Sequence, residues 1–328
     1  MTDGEHLEDR EVVAVGSAVV DRYRRLTNLP EPDGGSFVRE SWREFGGAAA
    51  NVACTVATLG RDVGMVTRLG TDERGTYGDA EAIVADLSER GVDTARVRRG
   101  EERGTYSTIL VGPDGTRMVV TGGDSVTELR LETDDWPTLE SASVVVTSAY
   151  APDPVVDALL TARAAGRLSA LAFDLSGPLA ELEGRGVTPA TIDEAVATAD
   201  LFVAGDVARH SYCRHHEVDG TFDEAVALLR ELGVRRAALT RGGDGATLLT
   251  PDRTVQVDAI DVEVVDTTGA GDAFVGGLLD AWVLDGQDPA RAGRFAATVA
   301  GLNCTGEGAR GAFPTRDRAR AVLRESDR

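Results

Sequence analysis

Val264-Val265-Asp266-Thr267-Thr268-Gly269-Ala270-Gly271-Asp272-Ala273-Phe274-Val275-Gly276-Gly277 is the stretch from which the rest of this chain is read. A β-branched run leads into small residues and then into a helix-compatible segment, Ala270 to Leu284. Glycines at 269 and 271 open backbone conformations closed to other residues. The N–H groups of the following helix's first turn then converge on one small volume, a site for anionic oxygens. Asp272 sits inside that turn, where a carboxylate repels the anion that the turn attracts. A carboxylate is useful there if a hydroxyl must lose its proton beside the anion being transferred. The pattern points to phosphoryl transfer onto an alcohol. The plainer alternative is a strand–turn–helix junction with Asp272 as an N-terminal capping residue.

A second stretch lies far upstream: Phe45-Gly46-Gly47-Ala48-Ala49-Ala50-Asn51-Val52-Ala53-Cys54-Thr55-Val56-Ala57-Thr58-Leu59-Gly60. It reads as a loop entering a helix of small residues that ends at a glycine. Asn51 is the odd member, a poor helix former whose alternatives are a local backbone hydrogen bond or a functional contact. The two stretches together, in this order, resemble the paired signatures of the PfkB (ribokinase-like) family of carbohydrate and nucleoside kinases. The resemblance runs over about residues 11 to 325.

That resemblance implies a ribokinase-like α/β fold: a mostly parallel central sheet with helices on both faces, plus a small β lid. It implies a single kinase domain over residues 1–328, with lid segments at about 22–45 and 103–123. Asp272 is then the general base, and Gly269, Ala270 and Gly271 form an anion hole. Asp21, Gly46, Gly47 and Asn51 hold the acceptor's hydroxyls. Thr240, Gly242, Gly245, Thr268, Gly308 and Ala309 lie along ATP, and Mg²⁺ accompanies the nucleotide. Ala48 stands where ribokinases commonly carry lysine, so the Gly-Gly-Ala-x-Ala-Asn form is closer to fructokinases and 2-keto-3-deoxygluconate kinases. The lid also implies a homodimer contact.

The residues themselves support the alternation that such a fold needs. Val12 to Val20 is a buried-strand pattern closed by Asp21, and Gly16-Ser17-Ala18 lacks the spacing of a dinucleotide fingerprint. Alternating stretches around Ser36 to Glu44 and Gly104 to Thr121 suggest short antiparallel strands, the second broken by a Pro113-Asp114-Gly115-Thr116 turn. Strand and helix patterns then alternate from Val144 to Thr240, which implies a mostly parallel sheet covered on both faces. In such sheets ligands bind beyond the C-terminal ends of the strands. Thr240-Arg241-Gly242-Gly243-Asp244-Gly245 reads either as a nucleotide loop or as a plain hairpin turn.

Composition narrows the partners. There are 55 acidic residues against 34 basic ones, for a formal net charge of −21, and the basic residues are all arginine. Such a surface argues against nucleic acid or an anionic membrane as partner. It suits a cytosol holding molar salt, so a halophilic source is expected. Without lysine, neither a Walker A loop nor a protein-kinase site is available, and phosphates fall to backbone N–H groups, arginine and metal. Cys54, Cys213 and Cys304 are far apart and suggest no disulfide framework. Met1 to Glu11 lacks the basic-then-apolar pattern of a signal peptide, and no apolar run approaches the roughly 20 residues of a membrane helix. A soluble, cytoplasmic protein is expected.

The family pattern fails at one place. It usually carries Asn-x-x-Glu just after a strand, where the pair organises magnesium and its waters. Here Gly205 and Ala208 occupy those positions, with Asp206 nearby, so no metal ligand is named. Three of the four histidines lie beside Cys213 in His210 to His216, but their spacing matches no zinc module, and a histidine-bearing helix end is the reading preferred. The acidic run Glu132 to Asp135 reads as solvated surface. The function expected is an ATP-dependent kinase acting on the hydroxymethyl group of a small sugar or sugar acid. Its alternatives are a nucleoside kinase of the same family, or a nucleotide- or sugar-binding homologue that has lost catalysis.

Overall fold

The computed structural model describes residues 10–312 and 314–326. Its centre is the strand Val12–Val15, whose four residues are all fully buried. A strand turns successive side chains to opposite faces. Val12 and Ala14 accordingly enter one hydrophobic cluster and Val13 and Val15 another. The strands Val144–Ser148 and Leu201–Gly205 divide their side chains in the same way, so the sheet is packed on both sides. Helices Ala48–Thr58, Gly78–Glu89, Ala270–Leu278 and Pro289–Asn303 cover one face. Helices Asp153–Ala164, Pro189–Thr198, Asp206–His215 and Phe222–Glu231 cover the other.

The large sheet runs, in spatial order, Thr254–Val257, Ala246–Leu249, Ala237–Thr240, Leu201–Gly205, Leu171–Asp174, Val144–Ser148, Val12–Val15, Val63–Thr71 and Val92–Arg103. All neighbours are parallel except the first two pairs, which are antiparallel. From the central strand the chain first builds outward on one side, through Val63–Thr71 and Val92–Arg103. It later builds on the other, beginning with Val144–Ser148. This reversal is the point at which an open α/β sheet leaves a crevice beyond its strand ends.

Val38–Gly46, Val19–Leu26, Tyr106–Val111 and Arg117–Gly122 form the smaller sheet, in that order. Val38–Gly46, Tyr106–Val111 and Arg117–Gly122 occupy the two stretches whose alternation suggested short antiparallel strands, whereas Val19–Leu26 lies outside them and pairs in parallel with Tyr106–Val111. The Pro113–Thr116 turn forms as its residues require: Asp114 Oδ1 accepts the Thr116 N–H at 3.0 Å, and Gly115 takes a φ of +83°. Register sets Asp21 beside both Glu44 and Ser107, and Ser107 beside Thr121, so one polar row crosses the sheet.

Two details differ from the sequence reading. The run Val12 to Val20 is not one strand: it divides at Gly16, whose φ is +144°, and continues in the smaller sheet. Nor is the acidic run Glu132 to Asp135 wholly solvated. Asp135 is fully buried, pairs with Arg98 and accepts the Glu132 N–H at 2.8 Å. A buried carboxylate persists where such partners satisfy it. Among the described residues no helix is long and apolar enough to cross a membrane.

Candidate active site

A cleft of about 630 Å³ lies between the smaller sheet and the C-terminal ends of the large sheet's strands. Five successive strand ends contribute to it. Ser17 follows Val12–Val15, Tyr150 follows Val144–Ser148, and Asp174, Gly205 and Thr240 end the next three strands. The smaller sheet supplies Asp21, Ser107, Ile109, Val119 and Thr121, and the turn opening helix Ala270–Leu278 supplies Gly269, Gly271 and Asp272.

Gly269 caps that helix in the left-handed region, with φ +73°, and no side chain caps it. Asp272 is therefore not its capping residue. The helix's own ladder begins with the Ala273 N–H donating to Gly269 O at 2.9 Å. The N–H groups of Gly271 and Asp272 are left without an intrahelical acceptor. Ala270, expected as a third anion donor, instead turns its N–H to Thr267 O at 3.2 Å.

Asp272 is partly exposed to the cleft. The Asn51 side-chain amide donates to its Oδ2 at 2.8 Å. Burial pushes the Asp272 carboxyl up to about 7; the Asn51 hydrogen bond and the Arg310 charge oppose the rise, while Asp174 and Asp21 add to it. Asn51 is itself buried in helix Ala48–Thr58, so its presence there is explained by a tertiary contact rather than a local backbone bond. The two helices approach closely because their facing residues are small: a Cβ at Gly276 would stand 2.6 Å from Thr55 Cγ2.

Asp21 is buried, and burial pushes its carboxyl up to about 6, against a Ser107 hydrogen bond and the Arg310 charge and with help from Glu44. Gly46 is required beside it, because a Cβ there would overlap the Asp21 carboxylate. Gly47, at φ +99°, leaves room for Ser17 O, which a Cβ would meet at 2.6 Å. The expected acceptor-side residues Asp21, Gly46, Gly47 and Asn51 are thus gathered around Asp272.

The expected nucleotide-side residues divide. Thr240 lines the cleft beside Gly205. Gly242 and Gly245 belong to the turn between antiparallel strands Ala237–Thr240 and Ala246–Leu249, the hairpin alternative, and do not line it. Gly308 and Ala309 stand behind the anion turn: the Gly308 N–H donates to Asp266 Oδ2 at 3.0 Å, and Ala309 O packs against Gly269. Thr268 donates its hydroxyl to Asp266 Oδ1 at 2.7 Å and also meets Arg117.

Three further residues shape the site without a sequence signal that marks them. Arg310 donates Nε–H to Asn51 Oδ1 at 2.8 Å and another N–H to Gly46 O at 3.2 Å, and it pairs with Asp86. Because the guanidinium offers only donors, it fixes the Asn51 carbonyl toward itself and the amide toward Asp272. Asp266 accepts the N–H groups of Thr268, at 2.9 Å, and Gly308, and so shapes the turn from outside. Arg117, on the smaller sheet, meets Asp266 Oδ1 and Thr267 Oγ1, each at 2.9 Å, and ties that sheet to the anion turn.

Where the family pattern fails, Gly205 leaves open space: a Cβ there would meet only Thr240 Oγ1, at 3.5 Å. Ala208 is buried in the hydrophobic cluster, and Asp206 turns to Arg209 at 2.9 Å, so Asp206 does not stand in for the missing pair. In the histidine segment, His216 Nε2 meets Asp193 at 2.9 Å and His210 Nδ1 donates to Asp206 O at 2.8 Å. No three potential ligating side chains converge on a metal position among the described residues.

Comparison with known proteins bears on the family and the fold. The pfkB family carbohydrate kinases match residues 9–316. The chain is similar to the ATP-dependent ribose-1-phosphate kinase of Halopiger xanaduensis, with 32% identity over 96% of this chain and 98% of that protein. It is similar to the nucleoside kinase of Methanothermobacter thermautotrophicus, at 27% over 97% and 96%. Among solved structures it resembles Arabidopsis thaliana ribokinase complexed with ribose and ATP, with a TM-score of 0.81 at 24% identity, covering 96% of this chain and 98% of that one.

Proposed function

We propose a function for a chain that belongs to the pfkB family of carbohydrate kinases: transfer of the γ-phosphate of MgATP to a hydroxymethyl group of a small sugar or sugar acid. The observation that carries this reading is Asp272 at an uncapped helix N-terminus, held by Asn51 and facing the cleft. The acceptor oxygen attacks the γ-phosphorus as its proton passes to the Asp272 carboxylate. A new P–O bond forms, the bond to the β,γ-bridging oxygen breaks, and ADP leaves with that electron pair. The Gly271 and Asp272 N–H groups stabilise charge on the transferring phosphoryl, with Gly269 allowing the turn and Ala270 contributing once its N–H leaves Thr267 O. Asp21 and Asn51 orient the acceptor, with Gly46 and Gly47 permitting its approach.

Magnesium, arriving with the nucleotide, would supply neutralisation of the triphosphate charge. Asp174, one strand over from Gly205 and lining the same cleft, would be the carboxylate to hold its waters. Thr240 and Thr268 border the phosphates, and the Gly242–Gly245 turn and Gly308-Ala309 flank the nucleotide. We read the chain as one kinase domain in which the smaller sheet is a lid. Exposed Val38, Met118 and Val120 on that sheet support a homodimer through it.

The Methanothermobacter relative supports a second reading, a nucleoside acceptor. A non-catalytic binding protein is disfavoured, because it would gain nothing from a carboxylate beside bound phosphate. The test is ADP release in molar KCl with Mg²⁺ across ribose, fructose, 2-keto-3-deoxygluconate, sugar phosphates and nucleosides. Stimulation by a sugar in the wild type, reduced about 10²- to 10⁴-fold in Asp272→Asn, supports the proposal. Stimulation by nucleosides alone supports the second reading, and ATP binding without turnover for any acceptor would return a binding protein.

A further inference from the structure

Four carboxylates line the cleft, Asp21, Asp174, Glu181 and Asp272, and one cationic side chain, Arg185. Two of those acids are engaged elsewhere. Glu181 Oε2 accepts the Tyr150 hydroxyl at 2.8 Å, and Asp174 Oδ2 accepts the Ser176 hydroxyl at 2.5 Å. Arg185 is half-buried and donates to the Gly123 carbonyl, and it forms no ion pair among the described residues. A guanidinium carries five N–H donors in a fixed fork, so most of its capacity remains.

Its position is fixed by the backbone. The Val187 N–H donates to Ala149 O at 3.0 Å, and a Cβ on Gly186 would overlap that same oxygen. The segment is thereby held against the end of strand Val144–Ser148. Tyr150 connects this wall to the reacting centre, because its hydroxyl stands within the fields of Glu181, Asp174 and Asp272 together. Thr127 and Ser176 add hydroxyls to the cleft that Arg185 lines. A neutral sugar or nucleoside has no use for an unneutralised guanidinium here, whereas a phosphate matches its fork with two parallel hydrogen bonds.

We infer that Arg185 marks a subsite for a phosphomonoester carried by the acceptor, at the end remote from the hydroxymethyl group facing Asp272. The inference rests on the kinase reading and narrows its acceptor to a sugar that is already phosphorylated. The product is then a sugar bisphosphate.

The test compares ribose 1-phosphate, ribose and adenosine, which share the hydroxymethyl group and differ at the remote end. In the wild type kcat/KM is at least tenfold higher for ribose 1-phosphate than for the other two. Arg185→Gln lowers that value about 10- to 100-fold, mainly through KM, and leaves the neutral acceptors unchanged. Arg185→Lys, which keeps the charge without the fork, falls between. Equal losses for all three acceptors, or a wild-type preference for ribose or adenosine, would overturn the subsite. If none is phosphorylated, the kinase reading fails first. Calorimetric binding of ribose 1-phosphate with non-hydrolysable ATP then decides separately: loss of binding in Arg185→Gln supports the subsite, and equal affinities, or no binding to either protein, remove it. Unchanged thermal unfolding of the variants shows that folding is not what the kinetics report.

Discussion

Asn51 donates its side-chain amide to Asp272 Oδ2 at 2.8 Å across 221 positions of sequence. Each residue is poorly explained by its own helix. Asn51 disfavours a helix interior, and Asp272 does not cap the turn it occupies. Together they satisfy one another, and Arg310 holds the amide in the orientation that makes the contact. Asp21 and Asp174 lie on the same cleft and raise the Asp272 carboxyl, and Arg310 is the cation that opposes them.

Arg310→Gln therefore acts on both the orientation of Asn51 and the charge felt by Asp272. On the proposed role of Asp272, a base must be ionised to take a proton, so with a carboxyl held at about 7 activity should rise through neutrality. Removing the cation moves that acidic limb to higher pH and lowers kcat at pH 7 about tenfold, with partial recovery above pH 8. A pH–rate profile measures this. An equal loss at every pH would reduce Arg310 to a structural role.

Stability carries the same sign. The native state keeps a proton on Asp272 that the unfolded chain, with an ordinary carboxyl near 3.8, releases between about pH 4 and 7. Stability thus falls as pH rises through that window. Asp272→Asn removes the buried charge, so the variant is more stable than the wild type at pH 8, on the order of 2 kcal/mol. The advantage shrinks to a small remainder near pH 4, where the native carboxyl is protonated and the unfolded one is only about half ionised. Denaturant unfolding at the two pH values would show it, and a less stable variant at pH 8 would mean that the Asn51 hydrogen bond outweighs burial.

Glycines 269 and 271 separate backbone strain from access to the cleft. At Gly269 a Cβ faces both a φ of +73° and the Ala309 carbonyl, whereas at Gly271 it meets nothing within 4 Å. Gly269→Ala should lose about 1–3 kcal/mol of stability. Gly271→Ala should melt as the wild type does but turn over more slowly, because the methyl enters open space on the cleft where the proposed reaction puts the phosphoryl. Melting curves and kcat for the pair are sufficient, and two variants with the same profile would refute the distinction.

Much of this arrangement is legible before any coordinates. The Val-Val-Ala-Val run declares a strand buried on both faces, and Asn51 stands out among alanines as a residue needing a reason. What stays hidden depends on distant partners. Arg310 follows a matched Gly-Ala pair in a loop, and its link to Asn51 spans 259 positions. Asp135 looks solvated because its neighbours are acidic, and only the fold brings Arg98 over it. The break at Gly16 is invisible in a run of valines, since nothing there reports a change of sheet. Gly242 and Gly245 satisfy a nucleotide loop and a hairpin turn equally well by composition, and the turn they form between antiparallel strands is compatible with both.

Salt provides the last expectation. Surface Arg–carboxylate pairs such as Arg25–Glu40 and Arg253–Asp288 are half exposed on both sides. Such pairs contribute about 0–1 kcal/mol each, and screening weakens them. The surplus of acids, 55 against 34 basic residues, has no such partner, and its mutual repulsion is relieved as the screening length shrinks from roughly 10 Å at 0.1 M to 3 Å at 1 M. Repulsion summed over a net charge of −21 outweighs the small attractions, so Tm should rise steadily from 0.1 to 2 M KCl. Sodium sulfate stabilises almost any protein by exclusion from its surface, so the discriminating control is a variant with several exposed carboxylates neutralised. That variant should gain less from KCl than the wild type. If instead the wild type loses Tm in KCl, the arginine pairs govern its stability and the acidic excess does not.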